Sequence, residues 1–204
     1  LDETSEDQDW IEVLTLEASG ESVSIAKEEG DSLFERLKIV LNKIEGAFCL
    51  LLITPNEIIA ARDPYGIRPL IYGSKSTNQH MFSSESVALD CLNYSRNMRD
   101  VEPGESMFID FNGKVHTHRY KEAKSKTPCI FEYVYLARPD STMDKINVYN
   151  SRLSMGRYLA KKIKNTLTEA ELKEIDVVIP IPDTSRTSAL PISVELKKEL
   201  REGF

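Results

Sequence analysis

Residues 46–73, GAFCLLLITPNEIIAARDPYGIRPLIYG, indicate how the first part of this chain folds. The run at residues 47–53 is apolar throughout, and the tetrapeptide TPNE at residues 54–57 has the composition of a turn. A second apolar run follows at residues 58–61. In the tetrapeptide DPYG at residues 63–66, proline stands second and glycine fourth, an order that type I turns favour. The stretch therefore predicts short strands joined by tight turns.

A helix precedes this stretch. Apolar residues recur there at helical spacing on one stripe: Leu33, Phe34, Leu37, Val40, Leu41 and Ile44. Ser32 and Glu35 have the spacing of a capping box, and Gly46 supplies a stop signal. A stripe of this kind indicates packing against a core and carries no chemistry by itself.

Hairpin signals continue downstream of it. Asn112-Gly113 lies between two runs with strand composition, and this dipeptide favours the tight turn of a β-hairpin. Residues 85–91 can form a short helix. A helix followed by strands in short hairpins predicts an α+β domain with a mostly antiparallel sheet, which we assign to residues 31–125.

The remaining residues, 126–204, predict an α/β arrangement. Residues 129–136 are apolar and aromatic and indicate a strand, and a helical pattern begins near Asn150. Residues 175–181 indicate a second, fully apolar strand, followed by a turn and a helix that ends near Leu200. A fully apolar strand is typical of parallel sheets, and we expect no parallel neighbour for it within this chain.

The composition excludes some classes of partner. The formal net charge is −7 and the pI is about 5.2, so the chain repels nucleic-acid phosphates and anionic membrane surfaces. No apolar run has the length needed to cross a bilayer. The three cysteines are widely spaced, which argues against a disulfide framework and for a reducing compartment. Residues 1–30 are acidic and without clear periodicity, and we interpret them as a poorly ordered segment.

The segment from Asp183 to Thr187 has the strongest physical argument for a binding site. It follows the predicted parallel-type strand and leads into a helix N-terminus, where free N–H groups and the helix dipole favour anions. Thr184, Ser185 and Thr187 add hydroxyl donors, and Arg186 adds a positive charge. The ligand that this implies is phosphate or diphosphate. Helix capping by these same residues is the alternative interpretation.

Arg62, Asp63, Gly66 and Arg68 concentrate charge and turn residues between apolar strands. We interpret them as a structural turn, although the arginines could also bind a carboxylate. No catalytic Ser/His/Asp or Cys/His set emerges from the residue spacing. Cys49 falls inside an apolar run, where we expect it to behave as a small hydrophobic residue.

Several stretches resemble one enzyme family. Residues 46–73, with FSSESVALD at residues 82–90 and VEPGES at residues 101–106, are similar to the later part of class II glutamine amidotransferase domains. CIFEYVYLARPDSTMDKINVYNSRLSMG at residues 129–156 and DVVIPIPDTSRTSAL at residues 176–190 narrow the resemblance to the amidophosphoribosyltransferase family.

The resemblance implies a fold and a reaction. The fold is the late part of an N-terminal-nucleophile hydrolase sandwich, then the first strand and helices of a type I phosphoribosyltransferase domain. The reaction transfers ammonia from glutamine to phosphoribosyl pyrophosphate, giving 5-phosphoribosylamine, diphosphate and glutamate, the first committed step of purine synthesis. Magnesium accompanies the phosphoribosyl pyrophosphate. The family is cytoplasmic, or located in plastids, and forms homo-oligomers.

The resemblance assigns family roles to only a few residues of this chain. Asp183, Thr184 and Ser185 match the loop that contacts diphosphate in the family, with Arg186 and Thr187 just beyond. Cys129 matches a position that ligates a 4Fe–4S cluster in some members, and we expect it to be a lone strand residue here. Leu1 stands where the family has its nucleophilic cysteine, so we expect no catalytic residue in this chain and no activity from the chain alone.

Two other functions remain open from the sequence. One is a non-catalytic, degenerate paralogue that binds a nucleotide or the intact enzyme. The other is a different class II amidotransferase such as an asparagine synthetase. The stretch at residues 176–190 argues against the second, because an asparagine synthetase would carry an ATP-pyrophosphatase-type loop instead.

Overall fold

The computed structural model describes residues 13–18, 21–26, 33–123 and 125–203. The first elements in chain order are β1 (Val13–Ala18), β2 (Glu21–Ala26), α1 (Leu33–Lys43), β3 (Cys49–Ile53), β4 (Ile58–Arg62), β5 (Ile71–Ser76), β6 (Gln79–Ser83), α2 (Ser86–Cys91), β7 (Arg96–Asp100), β8 (Glu105–Ile109) and β9 (Val115–Arg119). They are followed by a π-helical turn (Glu132–Leu136), β10 (Thr142–Met143), β11 (Ile146–Asn147), α3 (Val148–Thr166), α4 (Glu169–Glu174), β12 (Val177–Val178), α5 (Arg186–Leu196) and β13 (Glu199–Leu200).

Two compact units divide the chain, and both are discontinuous in sequence. The first comprises Leu1–Arg68 and Val101–Thr127, and the second comprises Pro69–Asp100 and Pro128–Phe204. The predicted boundaries at residues 31–125 and 126–204 follow the order of the sequence. The units do not, because residues 69–100 belong with the later part of the chain.

The first unit has a four-stranded antiparallel sheet in the order β3-β4-β8-β9. Helix α1 buries Leu37, Val40 and Leu41 completely against Ile59 and Ala61 of β4. Full burial of an aliphatic side chain of this size contributes roughly 1.5–3 kcal/mol, so this contact is a main source of stability for the unit. The predicted helix and its apolar stripe are confirmed.

Other predictions for the first unit have mixed outcomes. The hairpin at Asn112-Gly113 is confirmed, since it joins the paired strands β8 and β9. The predicted cap at Ser32 lies outside the described residues. Cys49 does lie in a strand, but the expectation that it behaves as a small hydrophobic residue is wrong, because its side chain is exposed. Only alternate residues of β3 pack on the core, Leu50 and Leu52, and Cys49 lies on the exposed face.

Strands β1 and β2 pair in antiparallel register, from Val13 opposite Ala26 to Ala18 opposite Glu21. This hairpin falls inside the segment that we interpreted as poorly ordered, residues 1–30. The two strands do alternate, as Leu14 and Leu16 in the first and Val23 and Ile25 in the second, but each is only six residues long and the surrounding acidic composition favoured the other interpretation. The rest of the segment lies outside the described residues.

The second unit contains an antiparallel sheet in the order β6-β5-β7. Its core combines Ile71 of β5 and Leu89 of α2 with Tyr133, Met143 and Val148, all at most 6% exposed. The short helix predicted at residues 85–91 is confirmed as α2, and the helix predicted from Asn150 is confirmed as α3.

The prediction of a strand at residues 129–136 is wrong, because this segment forms a π-helical turn from Glu132 to Leu136. The N–H of Ala137 donates to the carbonyl of Glu132 at 2.9 Å, an i to i+5 bond. The buried guanidinium of Arg152 donates to the carbonyls of Tyr133 and Ala137, both at 2.7 Å. These bonds hold the segment in a turn despite its strand-like composition. Cys129 is therefore not a strand residue.

The predicted strand at residues 175–181 is much shorter than expected. Only Val177–Val178 pairs, and it does so in parallel with Glu199–Leu200. The expectation that this strand has no parallel neighbour within the chain is therefore wrong. The following helix ends at Leu196 rather than near Leu200, because Lys197 adopts a left-handed conformation with φ 54° and releases the chain into β13.

Across the described residues, no helix combines the length and the apolar character that a membrane crossing requires.

Candidate functional site

The predicted anion-binding segment lies between β12 and α5. Residues 182–185 form a turn, and α5 begins at Arg186, whose N–H donates to the carbonyl of Asp183 at 3.3 Å. The peptide bond between Pro182 and Asp183 is cis. Thr184 and Thr187 are partly buried, whereas the side chain of Asp183 is 85% exposed. Three of the predicted residues, Asp183, Thr184 and Ser185, thus lie in the turn, and Arg186 and Thr187 are the first two residues of α5.

Helix capping does not account for Ser185. This residue immediately precedes α5, yet its side chain makes no capping hydrogen bond to the helix. Its hydroxyl instead donates to the carbonyl of Ile181, one turn earlier. The start of an α-helix carries N–H groups without intrahelical partners, and together with the dipole they attract an anion. At Ser185, the capping interpretation is therefore not supported, and anion binding stays a prediction.

Arg186 provides the positive charge of the segment. Its Nη2 lies 3.2 Å from Oε2 of Glu202 and 3.8 Å from Oδ1 of Asp183, and its side chain is 50% exposed. Because the guanidinium is half exposed and its partners are surface carboxylates, an incoming phosphate can exchange with them at small cost. The site can therefore pair Arg186 with a phosphate group, which a guanidinium binds through two parallel hydrogen bonds.

Glu202 is the member of this site that sequence reasoning missed. It lies just after β13, and the parallel pairing of β12 with β13 brings the two strands side by side. Nothing in the local sequence signals the contact with Arg186, because the two residues are 16 positions apart and the strands that align them are two residues long.

The Arg62–Arg68 turn is built from buried charged side chains. Arg62 is 1% exposed, and its guanidinium donates to the carbonyls of Arg68 at 2.8 Å, Gly66 at 3.0 Å and Val101 at 2.8 Å. Asp63 is fully buried, and its two carboxylate oxygens accept hydrogen bonds from the N–H groups of Tyr65 and Ile67.

Glycine is needed in this turn for two reasons. Gly66 has φ 62°, a conformation that residues with a Cβ rarely adopt, and a Cβ there would lie 2.7 Å from Cγ of Pro103. With Arg62 and Asp63 both engaged by main-chain groups, the geometry describes a rigid turn. The sequence did not reveal that Val101, far along the chain, supplies one of the acceptors.

The part of the chain that the structure describes offers few candidate metal ligands. No group of three His, Cys, Asp or Glu side chains there could hold a metal ion. A 4Fe–4S cluster is normally held by four cysteine thiolates, and this chain has three cysteines, so its own residues do not fit such a cluster. His116 lies on β9 at the end of the sheet order, with Nε2 3.1 Å from Oδ2 of Asp110.

Comparisons with known proteins agree with the resemblance. The glutamine amidotransferase domain family matches residues 18–91. An amidophosphoribosyltransferase of Pseudomonas aeruginosa is 46% identical over 178 residues, which cover 85% of this chain and 35% of that protein. The Escherichia coli amidophosphoribosyltransferase is 44% identical over 181 residues, which cover 86% of this chain and 35% of that protein.

A solved structure has the same architecture. The glutamine phosphoribosylpyrophosphate amidotransferase from B. subtilis, complexed with ADP and GMP, matches with a TM-score of 0.75 and 31% identity. The match covers 87% of this chain and 36% of that chain. The predicted fold class, an amidotransferase sandwich followed by a phosphoribosyltransferase α/β domain, is confirmed. The chain spans about a third of the length of the relatives that it matches, and it belongs to the amidophosphoribosyltransferase family.

Proposed function

We propose that the protein carrying this chain transfers glutamine-derived ammonia to phosphoribosyl pyrophosphate. The products are 5-phosphoribosylamine, diphosphate and glutamate. The observation that carries the proposal is the turn between β12 and α5, where a helix N-terminus and Arg186 converge. Relatives at 44–46% identity are named amidophosphoribosyltransferases, and this supports the same reaction.

The role of the turn follows from the charge changes of the reaction. As the carbon–nitrogen bond forms, the bond from the sugar carbon to the diphosphate oxygen breaks, and the leaving group takes the electron pair. The N-terminus of α5 and the guanidinium of Arg186 would stabilise this developing negative charge. Thr184 and Thr187 carry hydroxyl groups that would orient the diphosphate oxygens, and Ser185 would do so on exchanging its bond to the carbonyl of Ile181.

Asp183 requires a different role, because a carboxylate repels phosphate. Its exposed carboxylate suits a magnesium ion that accompanies diphosphate, since magnesium in such sites keeps several waters and uses one or two carboxylates. When bound, magnesium would neutralise diphosphate charge. Asp183 could equally accept a hydrogen bond from a sugar hydroxyl. We propose no iron–sulfur cluster held by this chain's residues alone.

The proposal extends to partners and location. Glutamine and phosphoribosyl pyrophosphate would be the substrates of the whole protein. The acidic balance of the chain supports the absence of nucleic-acid and membrane partners. A cytoplasmic homo-oligomer is the form that the family resemblance supports.

Calorimetric titration of the 204-residue chain with diphosphate and magnesium tests the anion site. We expect saturable binding that Arg186→Ala weakens by about tenfold, because a charge-assisted bidentate pair is lost. Arg201→Ala is the matched control. It removes a neighbouring arginine that pairs with Glu199 at 2.5 Å, and we expect unchanged affinity. Equal weakening by both variants would indicate only a general charge effect.

The isolated chain is predicted to have no glutaminase activity. A coupled assay for glutamate release from glutamine checks this prediction, and turnover above the blank by the purified chain would contradict it.

A further inference from the structure

Helix α3 approaches the start of α5 unusually closely at Gly156. A Cβ at this position would overlap the carbonyl oxygen of Ser188 and would lie 2.5 Å from Cγ of Pro191. Both contacts are with α5, and the first is with its main chain. Main-chain atoms cannot move aside as a flexible side chain can, so any side chain at residue 156 would push α5 away from α3.

A hydrogen bond from α5 to α3 also joins the two helices close to Gly156. The hydroxyl of Ser188 donates to the carbonyl of Arg152, at 3.0 Å, one helical turn before Gly156. Arg152 is itself 2% exposed, and its guanidinium donates to the carbonyls of Tyr133 and Ala137. The acceptor of the Ser188 bond therefore belongs to a residue that is held at both its main chain and its side chain.

Ser188 is the third residue of α5, directly after Arg186 and Thr187. The N–H groups of a helix that can receive an anion belong to its first turn, so Ser188 lies within the part of α5 that would face the diphosphate. A displacement of Ser188 is transmitted to the turn at residues 182–185, because the N–H of Ala189 donates to the carbonyl of Ser185 at 2.9 Å.

We propose that Gly156 and Ser188 are positioning residues for the diphosphate site, which they act on by fixing the first turn of α5 against α3. Neither residue needs to touch the ligand. The proposal rests on the proposed function, since it assigns a role to residues outside the anion-binding turn. Ordinary packing of two helices would instead affect stability and leave ligand affinity unchanged.

Diphosphate affinity of the 204-residue chain, measured by calorimetry with magnesium present, separates the two roles. Ser188→Ala removes the bond to Arg152, and we expect roughly three- to tenfold weaker binding. Ser188→Thr keeps a hydroxyl and should restore affinity to within about twofold. Gly156→Ala shifts α5 itself, and we expect at least about tenfold weaker binding, because small misplacements in binding geometry are costly.

Ser193→Ala is the matched control. Ser193 is on the same helix and 5% exposed, but its hydroxyl donates to the carbonyl of Leu190, within α5. We expect its melting temperature to fall without a change in diphosphate affinity. Melting temperatures of all variants are measured alongside, and the titrations are made well below them.

The outcomes distinguish the two proposals. If the unsubstituted chain does not bind diphosphate, the anion site fails and the positioning role falls with it. If the unsubstituted chain binds and Ser188→Ala binds equally well, the positioning role alone is overturned. Should Gly156→Ala fail to fold, the comparison of Ser188→Ala with Ser188→Thr and Ser193→Ala still decides.

Discussion

Charged residues in this chain serve two different purposes, and burial separates them. Arg62 and Asp63 are at most 1% exposed and bind main-chain groups, so they hold a turn. Arg186 is 50% exposed and pairs with Glu202 and Asp183 at the surface, so its guanidinium stays accessible to a ligand. The same residue type is thus structural where it is buried and available for binding where it is exposed.

Replacing Arg62 with lysine should destabilise the chain. A lysine ammonium cannot reproduce the planar fork that reaches the carbonyls of Arg68, Gly66 and Val101, so buried acceptors would lose their donors. We expect a loss of about 3 kcal/mol in the free energy of unfolding. Urea denaturation followed by circular dichroism measures it. The exposed Arg138→Lys is the control and should change stability by less than about 0.5 kcal/mol.

Neutralising Glu202 should strengthen diphosphate binding. Its carboxylate lies 3.2 Å from the Arg186 guanidinium and must be displaced by the ligand. We expect Glu202→Gln to bind diphosphate about two- to fivefold more tightly, the scale of an exposed ion pair. Glu199→Gln removes the same charge three residues away, from a pair with Arg201. An equal gain in that control would show that net charge alone is responsible.

At the scale of single elements, a side-chain hydrogen bond in the first unit joins the ends of two strands. The hydroxyl of Tyr120, just after β9, donates to the carbonyl of Arg62 at the end of β4, at 2.7 Å. Tyr120 is 6% exposed and belongs to the same core as α1. Burial raises the pKa of its phenol, and the nearby Asp63 carboxylate adds to this rise.

This pKa shift predicts a loss of stability in alkali. The folded state keeps the Tyr120 proton at pH values where the unfolded chain, with a tyrosine pKa of about 10, releases it. The unfolded state then binds fewer protons, so stability is complete below pH 10 and falls as the pH rises above it. Tyr120→Phe should cost about 1 kcal/mol at pH 8, and its deficit should shrink by pH 11. A deficit that is constant with pH would contradict this assignment.

Elements with strong local signals could be predicted from sequence, and those set by distant contacts could not. The apolar stripe of α1 and the Asn112-Gly113 turn decide their own conformations. Residues 129–136 have strand-like side chains, but the guanidinium of Arg152, in another element, binds the carbonyls of Tyr133 and Ala137 and holds the segment in a turn. Strand β12 needs β13 as a partner, and that pairing involves only two residues on each side.

The candidate site shows the same division. The placement of Asp183 to Thr187 at the start of a helix could be predicted from sequence, because a strand, a turn and a helix follow one another there. Anion binding by these residues stays a prediction. The contacts of Glu202, Ser188 and Gly156 could not be predicted from sequence, because they arise from strand pairing and from the packing of α3 on α5.

At the scale of the whole molecule, each compact unit is built from two separate stretches of the sequence. Residues 69–100 contribute β5, β6, α2 and β7 to the second unit, together with the segment that begins at Pro128. Glu85 illustrates the connection within that unit, since one carboxylate oxygen accepts hydrogen bonds from the N–H of Arg138 and the hydroxyl of Ser141. The segment at residues 138–144 is therefore anchored by residues that precede it by more than 40 positions.

The most direct test of the proposed function is product formation by the native protein that carries this sequence. The protein is captured with an antibody against this segment and supplied with glutamine, phosphoribosyl pyrophosphate and magnesium, and glutamate and diphosphate are quantified. We predict equal molar amounts of the two products, with diphosphate release that depends on glutamine. Nucleotide binding without release of either product would contradict this account and would favour a non-catalytic paralogue.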